Sequence, residues 1–153
     1  MPKIRGFAAA LAAAAALVAA PGRALATLGG DIASVQADGA QLQGALSIRQ
    51  SSQFAVHELV QPSGTSVREY VSPAGKVFAV AWQGPAIPDL RQLLGPYFDS
   101  YVAAASARRM KRTPVVIREP SLVVLSGGHA RAFTGRAYAP GLVPPNVDAE
   151  ALQ

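Results

Sequence analysis

Between residues 54 and 82 apolar and polar positions alternate in three short runs, broken by Gln61-Pro62-Ser63-Gly64 and by Ser72-Pro73-Ala74-Gly75. Alternation with period two is the signature of a half-buried strand. In both breaks proline presets φ for the second position of a type I turn, and glycine supplies the left-handed residue that closes a three-residue hairpin. Two such turns predict a meander of three antiparallel strands. If both close alike, Gln61 faces Thr65 and Ser72 faces Lys76, so Leu59 stands opposite Val67, and Val67 opposite Ala81. One face then carries His57 opposite Glu69 among small apolar residues. The other carries Val56, Tyr70, Phe78, Val80 and Trp82, with Glu58 opposite Arg68. The second face is bulkier and aromatic, and is expected to meet the helix.

Gly84-Pro85-Ala86-Ile87-Pro88-Asp89 turns the chain, because a residue before proline avoids the helical region and Asp89 can cap a helix that starts behind it. Leu90, Leu93, Leu94, Tyr97, Phe98, Tyr101, Val102 and Ala105 then recur at helical spacing. Gly95 and Pro96 interrupt that helix and predict a kink, since they cost about 1 and 3 kcal/mol relative to alanine. Residues 115–118, 122–126 and 131–138 read as strands, with Gly127-Gly128 as a hairpin turn. The order is β-β-β-α-β-β(-β). It predicts an α+β fold: an antiparallel sheet of five or six strands with one kinked amphipathic helix on one face.

The flanks lack such periods. Residues 27–53 are rich in Ala, Gly, Gln and Ser and are expected to be a mobile arm. A short strand or helix near 42–48 is the alternative. Residues 139–153 carry Pro140, Pro144 and Pro145 and read as an irregular tail with one helical turn after Asn146. Residues 54–138 form the single domain.

Residues 1–26 have the layout of a cleaved export signal: Lys3 and Arg5, an uncharged run over 7–20, and Ala24-Leu25-Ala26. The apolar run is shorter than the roughly 20 residues a spanning helix needs. The mature chain is expected to start at Thr27 and to be periplasmic or secreted, with no transmembrane segment. This changes the reading of charge. The whole chain is +5, with 14 basic and 9 acidic side chains. Lys3, Arg5 and Arg23 leave with the signal, so eleven basic groups face nine acidic ones, a net of +2. The remaining cluster, Arg108, Arg109, Lys111 and Arg112, comes after the helix and complements its C-terminal dipole, so a nucleic-acid partner is not expected. The chain has no cysteine, hence no disulfide and no thiol nucleophile.

Candidate chemistry is sparse. The two histidines have no metal-ligand spacing, and no nucleophile elbow or phosphate loop occurs. No metal or cofactor is expected. His57 opposite Glu69 could orient an imidazole, or could be a cross-strand polar pair alone. Ser126-Gly127-Gly128-His129 with Arg131 and Arg136 could receive an anion through amides and guanidinium groups, or could be a plain hairpin. Trp82, followed by Gly84, Pro85 and Asp89, could form a binding edge, or could cap the core.

The set Leu28-Gly29-Gly30, Val67-Arg68-Glu69-Tyr70-Val71, 75–82, Gly84-Pro85, Pro88-Asp89-Leu90, Leu93-Leu94-Gly95, Tyr97-Phe98 and 126–129 resembles the DUF2844 family of exported proteobacterial proteins. The resemblance covers nearly all of the mature chain, not 108–119. It implies a bacterial source and export, but no reaction and no site residue. The reading is a non-enzymatic module binding an envelope protein or envelope ligand. The alternatives are an enzyme with His57, Glu69 and His129 in one cleft, and a carrier holding an apolar molecule among Tyr70, Phe78, Trp82 and Phe98.

Overall fold

A computed structural model describes residues 27–31, 46–107 and 114–153. The expected signal, residues 32–45 and the basic cluster after the helix lie outside the described residues. Among the described residues seven strands form one antiparallel sheet: β1 (Leu46–Gln50), β2 (Ala55–Val60), β3 (Ser66–Val71), β4 (Val77–Gly84), β5 (Val115–Glu119), β6 (Leu122–His129) and β7 (Ala132–Tyr138). Their order is β1-β2-β3-β4-β7-β6-β5. The α+β class stands, but the count of five or six strands falls short. The additional strand is β1, in the stretch expected to be a mobile arm, with a short strand or helix near 42–48 as the alternative.

Both turns close as their proline and glycine dictate. Gly64 N–H donates to Gln61 O and Gly75 N–H to Ser72 O, each at 2.8 Å. Both glycines are left-handed, at φ 84° and 76°. The β2–β3 register is the one these turns impose: Leu59 opposite Val67, Glu58 opposite Arg68, His57 opposite Glu69.

The β3–β4 register departs from expectation. Val71 faces Val77 but Tyr70 faces Ala79, so Phe78 is an extra residue in the ladder, a β-bulge. A bulge places two successive residues against one and reverses the alternation beyond it. Val67 therefore stands opposite Trp82 rather than Ala81. Val80 and Trp82 join Val67, Val71 and Val77 on one face, in a cluster with Leu93 and Leu94. Tyr70, Phe78, Ala79 and Ala81 lie in the other cluster. This corrects the expectation that the aromatic face meets the helix. The helix covers the Val80–Trp82 face, and the aromatic face receives the C-terminal segment.

The helix has three parts: α1 (Leu90–Leu94), a 3₁₀ turn (Gly95–Tyr97) and α2 (Phe98–Ala107). The expected break at Gly95 is there, at φ 47°. A Cβ on Gly95 would lie 1.8 Å from Cγ2 of Thr27, so that glycine also admits the N-terminal segment. Asp89 caps α1, its Oδ1 accepting from the amides of Arg91 at 2.9 Å and Gln92 at 3.2 Å. Val102, expected on the buried face, is 42% exposed.

Both flanks join the core. Leu28 is fully buried. Its amide donates to Leu93 O at 3.0 Å, and Gly29 N–H donates to Val77 O at 2.8 Å. Asp31 pairs with Lys76 at 2.8 Å. Residues 27–31 are thus a fixed strap across the helix side, and the arm expected over 27–53 is fixed at both described ends. At the other terminus a 3₁₀ turn (Pro140–Leu142) leads the chain back over the aromatic face. Ala149, Val143, Val147 and Leu152 pack there with Tyr70, Phe78 and Tyr138. The tail closes a second core.

Candidate ligand groove

The bulge in β4 has a local result on the face away from the helix. One cross-strand row there reads Glu58, Arg68, Ala81, Arg136, Leu125, Val116. Without the extra residue at Phe78, Val80 or Trp82 would occupy this face of β4; with it, an alanine stands between two arginines. Arg68 and Arg136 are two strand spacings apart, about 10 Å between backbones. Their side chains, with Ala81 between, border a groove of about 530 Å³. Ser66, Gln83, Gly127 and Thr134 line one end, Leu125 and Val116 the apolar side, and Leu152 and Gln153 of the tail the other wall.

The two arginines are held differently. Glu58 gathers three donors: Ser66 Oγ at 2.8 Å, Arg68 Nε at 3.0 Å and Arg49 Nη2 at 2.8 Å. The Ser66 hydroxyl, followed by the two guanidinium groups, holds its carboxyl below the ordinary range against the opposing effect of burial. Arg68 is thereby anchored through Nε. Arg136 makes no ion pair among the described residues, although Glu150 acts on it at longer range. Its Nη1 donates to Leu152 O at 3.1 Å, and its buried Nε has no hydrogen-bond partner among the described residues. The tail wall is pinned at further points: Tyr70 donates to the main-chain oxygen of Gln153 at 2.5 Å, Tyr138 donates to Glu150 at 3.3 Å, and Arg118 pairs with Glu150. Burial pushes the Tyr70 phenol up, so it stays a donor at neutral pH.

The residues singled out in the sequence are scattered. His57 and Glu69 face each other on β2 and β3, both buried, on the helix side. His57 does not bond Glu69: its Nδ1 has no partner among the described residues, and burial alone lowers its pKa. His129 is exposed at the far end of β6. It lies four strands from β2, roughly 19 Å across the sheet. The cleft expected for His57, Glu69 and His129 is therefore not formed. Nor is the apolar pocket expected between helix and sheet, because Tyr70 and Phe78 pack on one face while Trp82 and Phe98 pack on the other.

Gly84, Pro85 and Asp89 form a corner with structural work. A Cβ on Gly84 would lie 2.5 Å from Cα of Thr65. The fully buried Thr65 donates its hydroxyl to Ala86 O at 2.8 Å and accepts from Ala86 N–H at 3.3 Å. Of the residues expected to cradle an anion, Gly127, Ser126 and Arg136 line the groove. Gly128, His129 and Arg131 instead belong to the β6–β7 hairpin beyond it. The turn there falls at Ala130-Arg131, with Arg131 left-handed at φ 65°, three residues later than expected at Gly127-Gly128. Gly128 is needed inside the strand pair, where a Cβ would lie 2.2 Å from Ala132 O. Sequence reading missed Arg68 and Ala81 as groove residues, and Leu152 and Gln153 altogether. No local signal marks them, since a bulge and a returning tail bring them together.

The architecture defines a class: a seven-stranded antiparallel sheet with a broken helix on one face and a tail-walled groove on the other. The chain belongs to the family described as protein of unknown function (DUF2844), whose model matches residues 24–152. No curated protein and no solved structure matches it. Among the described residues no helix is long and apolar enough to cross a membrane.

Proposed function

We propose that this chain is an exported protein of the bacterial cell envelope that works as a non-enzymatic binding module, taking a small envelope ligand in the groove between Arg68 and Arg136. The observation that carries this reading is the groove itself. Its volume of about 530 Å³ falls in the range of small-molecule sites, which combine apolar walls with a few placed polar groups. Leu125 and Val116 supply the apolar side; Arg68, Ser66, Thr134 and Arg136 supply the polar groups. Among the described residues no histidine, aspartate or glutamate lines it, so these usual carriers of general acid–base chemistry are not among its described walls. Export is supported by the layout of residues 1–26.

Native mass spectrometry of the protein purified from envelope extract is expected to show a fraction carrying one small molecule. Thr134→Trp, which places a large ring at the exposed edge of the groove, is expected to remove it. Wild type without an adduct, and without amide shift changes at Ala81, Gly127 or Thr134 on addition of envelope extract, would overturn the reading. N-terminal sequencing is expected to find Thr27; finding Met1 in the purified protein would overturn export.

A further inference from the structure

We infer that the ligand is an amphipathic anion, with a carboxylate, sulfonate or phosphate head set between Arg68 and Arg136 and an apolar body laid over Ala81 toward Leu125 and Val116. This rests on the groove being a binding site, and it names what the groove selects. The two cations are unequal in a way that favours an incoming anion. Glu58 satisfies Arg68 only at Nε, and no other hydrogen bond forms between Arg68 and the described residues.

Arg136 is the sharper case. It is half-buried, makes no ion pair within the described residues, and has a neutral main-chain oxygen, Leu152 O, as its one acceptor. A guanidinium carries five N–H donors in a planar fork suited to the oxygens of an anion. A partly desolvated cation with one neutral acceptor is a stronger anion receptor than a solvated one, because a charged acceptor restores what burial removed. The hydroxyl of Thr134 lies at the same groove and can donate to a further head-group oxygen, whereas that of Ser66 is given to Glu58. Val116, 39% exposed, and Leu125 offer apolar surface on the far side of Arg136 in the same row. A head group at the arginines thus directs its body along that row.

The test uses two probes with one ring body: 8-anilino-1-naphthalenesulfonate, an anion, and N-phenyl-1-naphthylamine, its neutral counterpart. The sulfonate is expected to bind the full protein at one site and at least about tenfold more tightly than the amine, as a charge-assisted contact would give. Arg136→Gln and Arg68→Gln are each expected to weaken sulfonate binding about tenfold and leave the amine unchanged. Arg136→Lys should recover part of the loss, since it keeps the charge without the fork. Thr134→Trp should weaken both probes. Arg68→Gln keeps the test interpretable if Arg136 variants melt early. Equal affinity for the two probes, or sulfonate binding indifferent to both arginines, overturns the anion inference while leaving a groove that binds. Failure of both probes to bind overturns the groove reading with it.

Discussion

The indole of Trp82 on β4 lies across Gly135 on β7: a Cβ built on Gly135 would sit 2.3 Å from Cζ2 of Trp82 and 2.5 Å from Cε2. The two residues face each other in the ladder, so the missing side chain is the space the ring fills. Trp82 is 2% exposed and is the chain's one tryptophan. It caps the core beneath the helix, while its strand forms part of the groove floor on the other side. Gly135→Ala is expected to destabilise the fold by about 1–3 kcal/mol, the usual cost of overpacking. Trp82→Leu should destabilise as well, through the cavity it leaves. The double variant should be no less stable than Trp82→Leu alone, because the clash has gone. Urea unfolding of the four proteins checks this; additive losses would show that the ring does not occupy the glycine's space.

Gly75→Val tests the second hairpin. At φ 76° a β-branched residue is strained, and a left-handed residue costs about 1–2 kcal/mol even before branching is counted. Gly75→Asn should lose much less, since asparagine tolerates that region. Equal melting temperatures for the two variants would show that the turn does not need its left-handed residue.

Leu28→Ala asks whether residues 27–31 are part of the core. Leu28 is fully buried against the helix side, so its truncation should cost about 2–5 kcal/mol. A mobile arm would show no change in denaturant midpoint.

The pH dependence of stability should have two windows with the same sign. His57 has its folded pKa lowered by burial, so the fold binds its proton less readily than the unfolded chain does. Its contribution is complete above the unfolded value, about 6.5, and is lost as pH falls from there through the lower folded value. Glu58 has its folded pKa lowered chiefly by the Ser66 hydroxyl, then by Arg68 and Arg49. Its contribution is complete above the unfolded value, about 4.3, and is lost below it. Chemical denaturation at a series of pH values should show His57→Gln flattening the slope just below neutrality and Glu58→Gln flattening it only in the more acidic range. A shared window for both variants would refute the assignment.

Much of the fold was legible where the cause is local. The two Pro-x-Gly turns, the Asp89 cap and the break at Gly95 each depend on the φ preferences or hydrogen bonds of a few adjacent residues, and the first turn sets the β2–β3 register. Trp82 as a core residue was legible too, from its area alone. The face it packs on was not. One extra residue at Phe78 reverses everything after it in β4, and the run of Val77, Phe78, Ala79, Val80, Ala81 and Trp82 is apolar throughout, so no polar position marks the slip.

The groove depends on that slip. Sequence determined that an alanine would stand in β4 and arginines in β3 and β7, and it determined the hairpins that carry them. Tertiary structure alone decided that Ala81 would stand between Arg68 and Arg136, that Arg136 would form no ion pair among the described residues, and that Leu152 and Gln153 would return as a wall. The physical reason is range. Turn and cap preferences act over a few residues, whereas strand pairing across β4 and β7 and the burial of Tyr70 and Phe78 beneath the tail join residues up to 83 positions apart, as in the Tyr70–Gln153 hydrogen bond.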